Sequence, residues 1–166
     1  MNKIILLPPG FEPPTIVRRD TYVLEVLAPQ HNDIDYAAWN SSIDALQGIF
    51  GPSNPWPEAN FSKLQNLQDL EQHYQEFEDK VAFAYTILSV DQSLCIGCLY
   101  IRPTSAVDYD ARVDFWFRNS HTTMAPAFFE ALKIWLADEW QFNAVAFPGR
   151  DISWQDYEKS VARGVG

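Results

Sequence analysis

The sequence is short of basic residues, has no long apolar run, and carries only two cysteines and three scattered histidines. Its 12 Lys and Arg against 22 Asp and Glu leave a formal net charge of −10. DNA and anionic membrane surfaces both require clustered cations, so neither nucleic acid nor membrane is expected as a partner. No stretch approaches the roughly 20 consecutive apolar residues needed to cross a bilayer. The IILL run near the start is far shorter than the ~7–15 residue apolar region of a signal peptide, so a cytoplasmic protein is expected. Cys95 and Cys98 spell C-x-x-C inside an apolar strand-like run, whereas redox pairs of this spacing sit at a helix N-terminus. Residues three apart on a strand point to opposite faces, and His31, His73 and His121 stand singly, so no zinc-ligand spacing appears. The expectation is two buried thiols and no metal.

What the sequence does contain is apolar and aromatic mass, at 47% and 14% of its 166 residues. That suffices for a full core, and the length argues for one domain spanning residues 1–166. Residues 1–20 hold four prolines, which remove backbone donors and keep the chain extended. They are expected to form an arm along the domain, and contact with a second subunit in a homodimer is one use for it. TYVLEVLA has the β-branched and aromatic content of a strand. In DIDYAAWNSSIDALQGIF, Tyr36, Trp39, Ile43, Leu46 and Phe50 recur at helical spacing, with Gly51 and Pro52 as the stop. A proline-rich loop around Trp56 follows. Ser62 and Gln65 then fit a capping box at the start of a second helix with a stripe of Leu64, Leu67, Leu70, Tyr74 and Phe77.

VAFAYTILSV, a turn at Asp91-Gln92-Ser93 and LCIGCLYIR make an antiparallel hairpin, and ARVDFWFR extends it to a meander. In ARVDFWFR, Arg112, Asp114, Trp116 and Arg118 alternate with Ala111, Val113, Phe115 and Phe117, the pattern of a half-buried strand. After the polar stretch NSHTTM comes a helix, PAFFEALKIWLADEW, with Phe128, Phe129, Leu132, Trp135 and Leu136 on one stripe. NAVAF is a last short strand, expected to lie parallel beside ARVDFWFR, and a final helix begins near Ser153. The expected order is β-α-α-β-β-β-α-β-α, an α+β fold with a mixed, mostly antiparallel sheet between helices. The polar loop between strand end and helix start gathers backbone N–H groups, which favour an anion.

This order and the residues of the central stretch resemble the GNAT superfamily of acyl-CoA-dependent N-acyltransferases, from Tyr22 to about Gly164. In that family the loop after the fourth strand reads Gln or Arg, two residues, Gly, one residue, Gly or Ala, and its main chain holds the CoA pyrophosphate. Here the loop is degenerate. With Trp135 aligned to the family's helix, Ser120 stands for the Gln or Arg, Thr123 for the first Gly, and only Ala125 matches. A register beginning at Arg118 recovers the Arg but puts His121 and Thr123 at the glycine positions. Pro126 removes one further donor.

The resemblance implies an acetyl-CoA-dependent N-acetyltransferase acting by direct transfer on a primary amine, small molecule or peptide. It implies pyrophosphate contacts from Ser120, Thr122, Thr123, Met124 and Ala125 with Arg118 nearby, and pairing of the pantetheine with the strand backbone at Phe115 and Phe117. Tyr157, in a Tyr157-Glu158-Lys159 segment like the family's, is the candidate general acid. Asp114, on the polar side of its strand, is the candidate base. Trp56, Tyr85, Tyr100 and Trp116 are candidates for an acceptor pocket. Each has a plainer reading: NSHTT as a helix N-cap region, Asp114 in an ion pair with Arg102 or Arg112, and the aromatics and Tyr157 as core. The chain ends at Gly166, where the family usually adds two strands that help wall the acceptor site. A catalytically impaired module of the same fold, sensing a CoA ligand or binding a protein, is the alternative.

Overall fold

The computed structural model of the chain describes residues 3–165. Met1 and Asn2, expected at the start of the arm, and Gly166 lie outside the described residues. Six strands form one sheet whose spatial order follows the sequence: β1 (Ile16–Arg18), β2 (Val23–Val26), β3 (Phe83–Leu88), β4 (Cys95–Arg102), β5 (Ala111–Phe117) and β6 (Val145–Ala146). All neighbours pair antiparallel except β5 and β6, which are parallel. Short links force β1–β2, β3–β4 and β4–β5 to pair antiparallel, β2 and β3 are joined through three α-helices, and helix α4 (Ala125–Asp138) carries the chain across to set β6 parallel.

Helices cover both faces. Helix α4 lays Phe128, Leu132, Trp135 and Leu136 on Val113, Phe115 and Phe117 of one face. On the other, Trp39 of α1 (Asn32–Asn40), Leu46 of α2 (Ile43–Leu46) and Leu70 of α3 (Lys63–Glu78) pack with Cys98, Tyr100 and Trp116. Helix α5 (Trp154–Val165) joins β6 through Tyr157 and Ala146. The expected capping box opens α3: Gln65 N–H donates to Ser62 Oγ at 3.1 Å, and Ser62 N–H to Gln65 Oε1 at 2.7 Å.

Four expectations change. The arm does more than lie along the domain: Ile16–Arg18 join the sheet as an edge strand, pairing with Val23–Glu25. The expected first helix is two helices. The Ser41 hydroxyl turns back to the Ala38 carbonyl at 2.7 Å, and Ser42 leaves helical geometry at φ −136°, ψ 23°. The order is therefore β-β-α-α-α-β-β-β-α-β-α. Strand β5 is buried on both faces rather than half-buried, since Arg112 lies against Phe50 and against Trp154 and Tyr157 of α5, and Asp114 is buried beside it.

The cysteines share a face after all. Ile87 pairs with Gly97 and Leu88 with Cys95, so Ile96 is an extra residue and the pleat shifts by one. Asp35, Cys95 and Cys98 thereby bring a carboxylate and two thiols within 4.8 Å of one another, all buried. The Cys98 thiol donates to Asp35 Oδ1 at 3.3 Å, and Asn66 Nδ2 to Asp35 Oδ2 at 2.9 Å. Burial first, then the neighbouring Cys95 and Asp35, holds the Cys98 thiol well above the usual range.

Candidate active site

The parallel pairing of β5 with β6 covers only Ala111↔Val145 and Arg112↔Ala146. Beyond it β5 runs on to Phe117, while β6 stops and the chain turns away through Phe147, Pro148 and Gly149. A crevice opens beside Asp114 and Phe115, about 240 Å³ in volume, with Gly48, Gly149 and Trp154 among its walls. Arg150 is also in its wall. It donates from Nη2 to the Phe115 carbonyl at 2.8 Å, with its guanidinium carbon 3.6 Å from the Phe115 ring centroid.

Asp114 is buried and is gripped by Arg112, Nε to Oδ2 at 2.9 Å and Nη2 to Oδ1 at 3.4 Å. Two effects oppose each other at this carboxyl. Burial raises its pKa, the Arg112, Arg102 and Arg150 charges lower it, and burial wins. Arg112 in turn lies 4.9 Å from the Trp154 ring and 5.6 Å from that of Tyr157. Tyr157 borders a second cavity of about 670 Å³ together with Arg102, Arg112 and Trp154. Its hydroxyl is 2.6 Å from Thr104 Oγ1, which also accepts the Ala106 N–H at 3.1 Å. Asp114 and Tyr157 are thus brought to one region of one sheet face, joined through Arg112.

The polar loop is wound up. Residues Asn119–Met124 form 3-10 turns kinked at His121 (φ −130°, ψ 15°). The His121 N–H goes to Arg118 O and the Ala125 N–H to Thr122 O; the Asn119 N–H donates to Ser42 Oγ at 2.8 Å. Arg118 is turned back, donating to Cys95 O at 3.1 Å and Ser41 Oγ at 3.4 Å. Ser120 Oγ lies 2.7 Å from His121 Nδ1, and Ser120, Thr122 and Thr123 are exposed, with Met124 half-buried. Without a glycine, the main chain takes the tight right-handed turn open to every residue and spends donors on its own carbonyls.

The four aromatics do not converge as a set. Trp56 and Trp116 lie 5.8 Å apart, and the Trp116 indole N–H donates to the Tyr100 hydroxyl at 3.2 Å. Tyr85 stands on the opposite face, against Trp135 and Phe77, with its hydroxyl donating to Pro14 O at 2.7 Å. Strand parity separates Tyr85 from Tyr100, since Tyr85 pairs with Leu99 and Tyr100 with Ala84. Trp56 and Tyr100 border a cavity of about 370 Å³ between the sheet and α3.

Sequence reasoning did not single out Arg150 or the setting of Arg102. Arg150 follows a Pro-Gly stop and reads as a solvated turn residue. Arg102 was legible only as an ion-pair partner for Asp114, and Arg112 takes that place.

The fold is that of the GNAT-type acetyltransferases. Among solved structures, the ribosomal-protein-S5-alanine acetyltransferase from Vibrio fischeri matches with a TM-score of 0.64 at 11% identity, over 92% of this chain and 82% of that one. RimL, a ribosomal L7/L12 α-N-protein acetyltransferase in complex with coenzyme A, matches at 0.60 and 16% identity, over 90% and 82%. The microcin C7 self-immunity acetyltransferase MccE, in complex with acetyl-CoA and AMP, matches at 0.54 and 12% identity, over 92% and 82%. No family model and no curated protein matches the sequence.

Proposed function

We propose that the protein is an N-acyltransferase that moves an acetyl group from acetyl-CoA directly to a primary amine. The observation that carries this reading is the parting of β5 from β6 after Arg112, beside a buried carboxylate, in a fold shared with acetyltransferases. The donor's amides would pair with the backbone of Phe115 and Phe117. Its diphosphate would be held by Ser120, Thr122, Thr123, Met124 and Ala125 with Arg118, although Ala125 contributes its N–H only by releasing Thr122 O. Acetyl-CoA, when bound, supplies the activated acyl carbon.

Asp114 takes the proton of the incoming amine. Burial raises its pKa and so makes it a stronger base than an exposed carboxylate, while the grip of Arg112 fixes its orientation. Tyr157 returns a proton to the leaving thiolate, and Thr104 orients its hydroxyl. Trp56, Tyr100 and Trp116 would wall the acceptor side, and the acidic surface would draw a cationic amine.

A second reading, a module of this fold that senses a CoA ligand or binds a protein without turnover, is favoured by Arg150. Its guanidinium occupies the Phe115 carbonyl that a donor amide would use. Thermal-shift titration with acetyl-CoA and with CoA tests both, because a ligand at about 100 times its Kd stabilises by ~2.7 kcal/mol. A shift followed by acetylation of an amine panel supports the transferase, and a shift without turnover supports the sensor. No shift at millimolar ligand overturns the transferase.

A further inference from the structure

Arg102 stands in an unusual position for an arginine at the end of a core strand. Its guanidinium carbon lies 4.7 Å from the Tyr100 ring centroid and 4.9 Å from that of Phe50, which fixes the plane of its fork. Among the described residues it makes no side-chain hydrogen bond and no ion pair, while its cross-strand neighbour Arg112 is fully engaged by Asp114. It borders both the cavity of about 370 Å³ under α3 and the larger one beside Tyr157.

Across the smaller cavity, α3 presents Asp69 and Glu76. Asp69 is exposed and its carboxylate has no hydrogen-bond or ion-pair partner among the described residues, and the half-buried Glu76 carboxylate meets only His73, at 3.8 Å. An unpaired cation and unpaired anion therefore share one cavity without closing on each other. His73, in the same wall with its ring tilted 5.5 Å from that of Tyr100, is neutral at pH 7, because burial and then the Arg102 charge bring its pKa down to about 4. The remaining wall is mixed: Phe50, Trp56 and Leu70 supply an apolar side, and Asn54, Asn66 and the buried Asp35 a polar one.

We propose that this cavity binds a free α-amino acid with an apolar side chain, its carboxylate on the Arg102 fork, its ammonium toward Asp69 and Glu76, and its side chain against Phe50 and Trp56. A guanidinium takes a carboxylate through two parallel N–H donors, which a monocation or an apolar molecule cannot use. A ligand with only one charge forgoes the contact at the opposite end of the cavity. The volume falls within the range of small-ligand sites. The site stands whether or not the protein transfers acetyl groups.

The test is calorimetric titration of the full chain, without acetyl-CoA, with L-phenylalanine, L-leucine and L-methionine. The tightest of the three is then compared with its decarboxylated amine and its deaminated acid. Both analogues are expected to bind at least about tenfold more weakly than the amino acid. Arg102→Gln should erase the preference over the amine, and Asp69→Asn should weaken the preference over the acid. An analogue that binds as tightly as the amino acid, an Arg102→Gln variant that binds it unchanged, or the absence of binding by all three amino acids at millimolar concentration overturns the proposal. None of these outcomes depends on acetyl-CoA, so failure here is distinct from failure of the transferase reading.

Discussion

Arg112 and Asp114 stand two residues apart on one strand, side chains on the same face, and close a two-pronged ion pair at 2.9 and 3.4 Å on a sheet face that is otherwise largely apolar. Period-two geometry makes the pair possible, and burial makes it consequential. Removing the cation alone leaves a carboxylate with little water to solvate it. Arg112→Gln is expected to lose about 2–4 kcal/mol in denaturant unfolding. The double variant Arg112→Gln, Asp114→Asn should recover part of that loss; no recovery would mean that the pair is not the source.

If Tyr157 serves as the acid, Tyr157→Phe lowers kcat by about 100-fold or more. Folding stability should fall by only about 1 kcal/mol, because Thr104 keeps its bond from the Ala106 N–H. Turnover equal to wild type would remove Tyr157 from the chemistry.

Arg150 competes with any ligand amide for the Phe115 carbonyl. Arg150→Ala should therefore tighten CoA binding, by about tenfold for one charge-assisted hydrogen bond no longer displaced. Weaker binding in calorimetry would instead make Arg150 part of the ligand site.

His73 folds with its pKa lowered from 6.5 to about 4. Between those values the unfolded chain binds a proton that the folded chain does not, so stability falls as pH drops from about 6.5 to about 4 and is unaffected by this group above that window. Chemical denaturation at pH 7 and pH 4.5 should show His73→Gln losing less stability on acidification than wild type, by about 1–3 kcal/mol. An equal loss in both proteins would contradict the buried, neutral imidazole.

Gly97 follows the bulge between β3 and β4 and pairs with Phe117 of β5, and a Cβ there would run into the Trp116 carbonyl. Backbone must move to accommodate it. Gly97→Ala is expected to destabilise by about 3 kcal/mol or more, read by thermal unfolding, and to disturb the Cys95 and Cys98 alignment with it.

Much of the fold was legible because its causes are local. The Ser62/Gln65 box, the stripe of α4, the hairpin turn at Asp91 and the alternation of β5 each depend on residues within a turn or a strand of one another. A helical or two-residue period survives whatever the rest of the chain does. The break at Ser41 and the edge strand at Ile16 were not legible in that way. The first depends on a hydroxyl choosing a backbone carbonyl, and the second on β2 offering an open edge.

The sequence by itself determined the antiparallel meander, the crossover helix, the parallel last strand, and which side chains of β5 share a face, since periodicity and link length allow little else. Only the tertiary structure decided that a bulge turns Cys95 and Cys98 to one side, that Arg150 takes the Phe115 carbonyl at the crevice, that the polar loop winds onto itself, and that Arg102 and Asp69 border one cavity without pairing. The contact of Arg150 with Phe115 joins residues 35 positions apart. These outcomes turn on desolvation and on competition for partners, which no local pattern encodes.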